Sequence, residues 1–169
     1  MLQILARTRR IGFGVAVCIC AVCNPAVIHS VLTAPTAAQD DQAKAESDIR
    51  AVLRAQQDAW NRGDIDGFMN GYARADSTVF VSEDSVRRGW ETVRDRYKGK
   101  YPDRGKMGQL TFSDLEITRL GADAAVVLGH WQLKRAEDQP HGRFTLVFRK
   151  TAAGWHIIHD HTSAAAPPK

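Results

Sequence analysis

Ile49, Val52, Leu53 and Trp60 fall on one stripe, with Glu46, Asp48, Arg50, Arg54 and Asp58 elsewhere, which predicts an amphipathic helix. It should stop at Asn61-Arg62-Gly63, where glycine suits a left-handed cap. Asp64 then serves as N-cap of a second, short helix carrying Ile65, Phe68, Met69 and Tyr72 at i, i+3, i+4 and i+7. Thr78 to Val81, the turn Glu83-Asp84-Ser85 and Val86 to Arg88 predict a hairpin closed by Gly89. Trp90, Val93 and Tyr97 mark a third helix ending near Gly99, and Pro102, Gly105 and Gly108 make Lys100 to Gln109 a loop. The period then changes. Leu110 to Leu120, Ala124 to Arg135, Gly142 to Lys150 and Trp155 to Ser163 are four extended segments with short connections, an antiparallel meander. Phe144, Leu146 and Phe148 alternating with Arg143, Thr145 and Arg149 show one buried face. The predicted fold is an α+β cone: a curved antiparallel sheet wrapped around the N-terminal helix, with two further short helices.

Ahead of this pattern stand Arg7, Arg9 and Arg10, an apolar run from Ile11 to Val22, a break at Asn24-Pro25 and small residues ending Thr36-Ala37-Ala38. That is the form of an export signal over residues 1–38, cut after Ala38. Its alternative is an uncleaved anchor from Ile11 to Leu32, made a poor span by Asn24, Pro25, His29 and Ser30. The reading gives an exported, periplasmic or secreted protein. Residues 39–45 are then a flexible mature N-terminus, 46–163 the domain and 164–169 a disordered tail. Cys18, Cys20 and Cys23 all lie in the leader, so the exported chain has neither a disulfide nor a thiol nucleophile. The net charge of +4 owes three of its charges to the leader's arginines. A near-neutral domain lacks the field for binding nucleic acid, and none is expected as a partner. Nor is stable membrane insertion once the signal is removed.

AWNRGDIDGFMNGYARADSTVFVSED, RGWETVRDRY and GRFTLVFRKTAAGWHIIHDHTS resemble the SnoaL-like branch of the nuclear-transport-factor-2-like superfamily, over about Glu46 to Ser163. The last string is also similar to the association domain of calcium/calmodulin-dependent kinase II in the spacing of Trp155, Ile157, His159 and His161. The resemblance implies a pocket between sheet and helices and a dimer across the sheet. The association domain's pocket arginines fall here on Trp131, Leu146 and Thr162 and its pocket histidine on Val93, so an apolar or aromatic pocket is what remains. Of the tyrosine and paired aspartates used by steroid isomerases of this fold, Tyr72 and Asp160 are the nearest in kind. Fold likeness does not decide function, because the superfamily holds isomerases, cyclases, dehydratases and assembly domains.

Asp160 is the candidate catalytic group, since a carboxylate entering an apolar pocket gains a pKa useful to a general base. Its direction depends on the last hairpin. If Lys150 opposes Trp155, Leu146 opposes His159; a five-residue loop instead sets Leu146 against Ile158 and turns Asp160 inward with Phe144. The resemblance favours the second register. Tyr72, Tyr101, Trp131 and Leu146 are the candidate ligand-binding residues, with Trp60 and Trp90 as further aromatics that would otherwise be core. His159 and His161, two apart on a strand, could converge on a metal with His130, with His156 close by; the plainer reading is packed histidines, and no metal or cofactor is expected. From Arg87 to Lys106 eight basic residues face three acidic ones, a set that would steer an anionic ligand or form an ordinary solvated face.

The leading expectation is an exported homodimer binding a small apolar or aromatic molecule in its cone. An acid/base enzyme using Asp160 or a pocket histidine competes with it, as does a non-catalytic assembly module. The expected discriminator is whether Asp160 points inward beside a second polar group within hydrogen-bond reach.

Overall fold

The computed structural model describes residues 37–166. Residues 1–36 and 167–169 lie outside that range, and with them nearly all of the expected signal peptide and half of the expected tail; the position of the expected cut, after Ala38, falls at the start of α1. Helix α1 spans Ala37–Arg62, α2 Ile65–Met69, α3 Trp90–Lys100 and α4 Arg104–Met107. The strands are β1 Val79–Ser82, β2 Ser85–Arg88, β3 Gln109–Arg119, β4 Ala124–Lys134, β5 His141–Thr151 and β6 Gly154–Thr162. They form one curved sheet in the order β2-β1-β6-β5-β4-β3, antiparallel throughout except that β1 runs parallel to β6. The α+β cone is therefore the observed fold.

Three local expectations are corrected. Residues 39–45, read as a flexible lead-in, continue α1 toward its N-terminus, with Ala45 already buried. The run of Ala, Gln, Lys and Glu there favours helix, and only the lack of an apolar stripe hid it. The loop after α3 contains the one-turn α4, whose N-cap Asp103 accepts from the Lys106 amide at 2.9 Å. At the other end, Ala165 donates its N–H to the His141 carbonyl at 2.8 Å, so the tail follows β5 for a short way rather than leaving the fold.

α1 buries Ile49, Leu53, Gln56, Ala59 and Trp60 against the inner sheet face, where Ala125, Val127, Phe144, Leu146 and Phe148 meet it. Its polar edge is also used. Asn61 accepts from the Leu110 amide at 2.7 Å and donates to the Leu110 carbonyl at 3.0 Å, and Gln57 accepts from the Phe112 amide at 2.8 Å. The otherwise open backbone at the start of edge strand β3 is thereby occupied, which shortens the template for strand addition. Gly63, at φ 86°, turns the chain out of α1, and Asp64 caps α2 by accepting from the Gly67 amide at 2.7 Å.

Two bulges bend the sheet. In β3 the register slips between Ser113 and Glu116, with Asp114 at φ 52°; in β6 it slips opposite Val147/Phe148. An extra residue increases local twist and inverts which side chains face inward beyond it. Among the described residues no helix is long and apolar enough to cross a membrane.

Candidate functional site

The β6 bulge builds the site. Lys150 pairs with Trp155 and Phe148 with Ile157, but past the bulge Val147 pairs with His159 and Leu146 with Asp160. Neither uniform register is correct: the chain starts in the first and shifts by one residue at Ile158. Trp155 and Ile157 are buried before the bulge, and Asp160 is buried after it. Without the extra residue, alternation would carry His159 inward and Asp160 to the outer face.

The segment after α2 brings the partner. Ala73 donates to the Ile157 carbonyl and the Ile157 amide donates to the Gly71 carbonyl, both at 2.9 Å, forming a single parallel bridge at Tyr72. Gly71 lies so close to the Gln56 amide that any Cβ there would collide with it. Gln56 is held in turn by donating to the Phe68 carbonyl at 2.9 Å. The result places the Tyr72 hydroxyl 2.6 Å from Asp160 Oδ2, to which it donates. Tyr97, on α3, lies 3.2 Å from the Tyr72 oxygen. Because Tyr72 commits its proton to the carboxylate, Tyr97 must be the donor in that second bond. The other carboxyl oxygen, Oδ1, is buried and has no hydrogen-bond partner among the described residues.

These groups line a cavity of about 110 Å³. Trp60, Phe68, Tyr101, Phe112, Phe144 and Leu146 supply apolar wall, and Arg96, Lys100, Glu83, Ser163 and Ala164 contribute polar or exposed positions. Burial pushes the Asp160 carboxyl up to about 7, although the Tyr72 hydrogen bond and the Arg96 charge both favour its ionised form. Burial, followed by the neighbouring Asp160 charge, raises both Tyr72 and Tyr97 above the ordinary phenol value. The site thus holds one carboxyl poised near neutrality and phenols that keep their protons.

Of the expected ligand residues, Tyr72, Tyr101, Trp131 and Leu146 all line the cavity. Trp131 stands where β6 ends, and its indole N–H donates to the Ser163 carbonyl at 2.9 Å. Tyr101 packs edge-on against Trp60 at 4.7 Å, and its hydroxyl has no hydrogen-bond partner among the described residues. Trp90 does not belong to the site. Its indole N–H donates to the Met69 carbonyl at 3.0 Å, and Arg74 and Arg94 lie over its ring at 4.6 and 5.3 Å, so it joins α3 to α2. The histidines do not converge. His130 sits on β4 beside Ser113, separated by β5 from His159 and His161, which occupy the sheet face opposite Asp160. Among the described residues no group of three His, Cys, Asp or Glu side chains could hold a metal ion. Tyr97 and Gln56 were not marked as site residues by the sequence, and Arg96 entered only within the basic run from Arg87 to Lys106. Tyr97 carried the helix stripe of α3, and nothing in spacing distinguishes a core tyrosine from one that completes a hydrogen-bond chain.

Residues 49–167 match the family model described as the SnoaL-like domain. An NTF2-like protein of unknown function from Shewanella oneidensis MR-1 is 41% identical, with 70% of this chain and 98% of that one covered and a TM-score of 0.67. A ketosteroid isomerase-like protein from Erwinia carotovora atroseptica is 21% identical, with 72% and 96% covered and a TM-score of 0.57. An NTF2-like superfamily protein from Salmonella enterica serovar Typhimurium is 20% identical, with 76% and 96% covered and a TM-score of 0.59. At that identity the last two share the fold alone. No curated protein matches the chain. With the cone, its pocket and the match over most of the described domain in agreement, the chain belongs to the SnoaL-like family of the NTF2-like fold.

Proposed function

We propose that this domain is an acid/base catalyst that moves a proton on a small, largely apolar molecule bound in the cone. The observation that carries the reading is the Asp160 carboxyl: buried, held through Oδ2 by Tyr72, and with Oδ1 unpartnered in a residue that lines the cavity. A carboxyl near 7 is half ionised at neutral pH, so it can both take and return a proton without a large driving-force penalty. In the proposed step Oδ1 takes a proton from carbon next to a carbonyl. The C–H electron pair becomes the C=C bond and the carbonyl π pair moves onto oxygen. The free Tyr101 hydroxyl donates to that oxygen, since burial raises Tyr101 and keeps it protonated. Return of the proton from Asp160 to the same or a conjugated carbon completes exchange or isomerisation. Tyr72 and Tyr97 orient the base.

The test is α-proton exchange of phenylacetone in D2O, followed by NMR. Asp160→Asn should lower the protein-dependent rate at least about a hundredfold while ligand binding persists. Equal exchange by the wild type and this variant would refute the reading. Binding without turnover is the second reading, favoured by the aromatic wall; it predicts that Trp131→Ala weakens binding and that no exchange occurs in either protein.

Export and dimerisation are part of the same proposal. The leader pattern supports the first. The outer sheet face supports the second, for Leu128 is 39% exposed there and Val126, Val147 and Ile158 are half-buried on it. A secreted protein that retains residues 1–38, or a strictly monomeric sedimentation profile, would overturn them in turn.

A further inference from the structure

The aromatic wall of the cavity ends in cations. Arg96 lies with its guanidinium 4.2 Å from the centre of the Phe80 ring and 5.4 Å from that of Tyr97, and Lys100 Nζ lies 5.7 Å from the Tyr101 ring. Both line the same cavity as Asp160, and among the described residues neither makes an ion pair. Both rings hold the Arg96 guanidinium by cation–π contact. Of its five N–H donors one reaches Ser82 Oγ, at 3.3 Å, and the others find no acceptor among the described residues. Arg87, paired across the hairpin with Phe80, adds a buried Nη1 that also has none. Arg135 is close by and pairs through Nη1 with Asp138 at 3.4 Å, while its buried Nε has no hydrogen-bond partner among the described residues. Burial and the positive charges of Arg96, Arg135 and Arg87 hold the Lys100 ammonium below its ordinary value, opposed by Glu83 alone. Glu83 is exposed and makes no ion pair with any of them.

A cationic group with unspent donors beside an apolar chamber calls for a ligand with an anionic end and an apolar end. The chamber sets the size. A dry apolar cavity of roughly 150 Å³ takes one benzene ring, so the 110 Å³ here, open at its mouth, admits one ring and not a fused ring system. We propose that the pocket takes a small monocyclic carboxylate, its ring inside the aromatic chamber and its carboxylate at the mouth between Arg96 and Lys100, with Arg87 behind them. This deepens the functional reading above and rests on its cavity, but not on Asp160 as a base.

Calorimetric titration of the purified protein at low salt with benzoate and with benzamide, its uncharged counterpart of similar shape, tests the inference. The wild type should prefer benzoate at least about tenfold, and the preference should shrink as salt is added. Arg96→Gln combined with Lys100→Gln should abolish it. Arg96→Lys should preserve most of it, which separates charge from loss of the arginine's contacts with the rings, and Lys100→Gln alone, at an exposed position, should reduce it in a protein of unchanged melting temperature. Equal binding of benzamide, survival of the preference in the double variant, or competition by inorganic phosphate as effective as that by benzoate would each overturn the proposal. Asp160→Asn keeps the preference for benzoate in all cases where the inference holds. Loss of phenylacetone exchange with that preference intact therefore bears on Asp160, and loss of the preference with exchange intact bears on the mouth.

Discussion

Replacing Asp160 by Asn should make the protein more stable at pH 8 by about 4 kcal/mol and at pH 5 by less than half as much. The carboxyl is held at about 7 in the fold against 3.8 in the unfolded chain, so the unfolded state releases its proton at much lower pH. Stability contributed by this group is fully present below pH 3.8 and is lost progressively as pH rises to 7 and beyond. Each tenfold change in acidity is worth about 1.4 kcal/mol, so the ionised carboxyl costs the fold about 4 kcal/mol at high pH. The neutral acid and the Asn amide are close in what they offer: each accepts from Tyr72 through one oxygen, and toward the cavity the acid turns one O–H and the amide two N–H donors. The substitution therefore removes the ionisation cost and adds one N–H donor facing the cavity. In a domain of this size that difference corresponds to roughly 10 °C in melting temperature. Calorimetric melts of both proteins from pH 5 to pH 8.5 are the assay. A melting-temperature difference that does not change with pH would show that Asp160 does not titrate in this window, and the reasoning would be wrong.

Tyr72→Phe removes the donor that favours the carboxylate, so the pH at which Asp160 ionises should rise further above 7, read by carboxyl-labelled NMR titration. Deleting Ile158 straightens β6 and carries Asp160 toward the outer face; ligand binding at the cone and proton exchange should both be lost, while circular dichroism still reports the sheet. Asn61→Ala leaves the Leu110 amide and carbonyl unpaired at the edge of β3 and should cost about 1–3 kcal/mol by urea unfolding, with faster amide exchange confined to β3. Gly71→Ala forces a Cβ into Gln56 and should destabilise by a similar amount while displacing Tyr72.

The elements were legible because each obeys one period. Asp64 as a cap, Gly63 as a stop and the four long strands follow from local chemistry that nothing distant overrides. Asp160 and Tyr72 were legible as residue types, but their meeting was not. It depends on an extra residue inside His156-Ile157-Ile158-His159, where two isoleucines in succession satisfy either alternation equally. It depends also on a bridge between Tyr72 and β6 that spans most of the domain, and on the parallel pairing of β1 with β6, which no turn signal announces. Asn61, expected only as part of the helix stop, and Gln57, which no pattern marked, both serve strand β3. Trp90 showed the converse: an aromatic at helical spacing whose polar edge is spent on the Met69 carbonyl and not on a ligand. The basic run from Arg87 to Lys106 proved divided, with Arg96 and Lys100 at the cavity and Lys98 paired outside it with Asp66 at 2.8 Å.

The central claim is that the Asp160 carboxyl performs the proton transfer, and the pH profile of phenylacetone exchange tests it most directly when measured on the same samples as the carboxyl NMR titration of Asp160. The account predicts that protein-dependent exchange rises with a midpoint near 7, that this midpoint coincides with the titration of Asp160, and that Asp160→Asn removes both. A carboxyl that titrates near 4, or exchange that persists in the Asn variant, would contradict it.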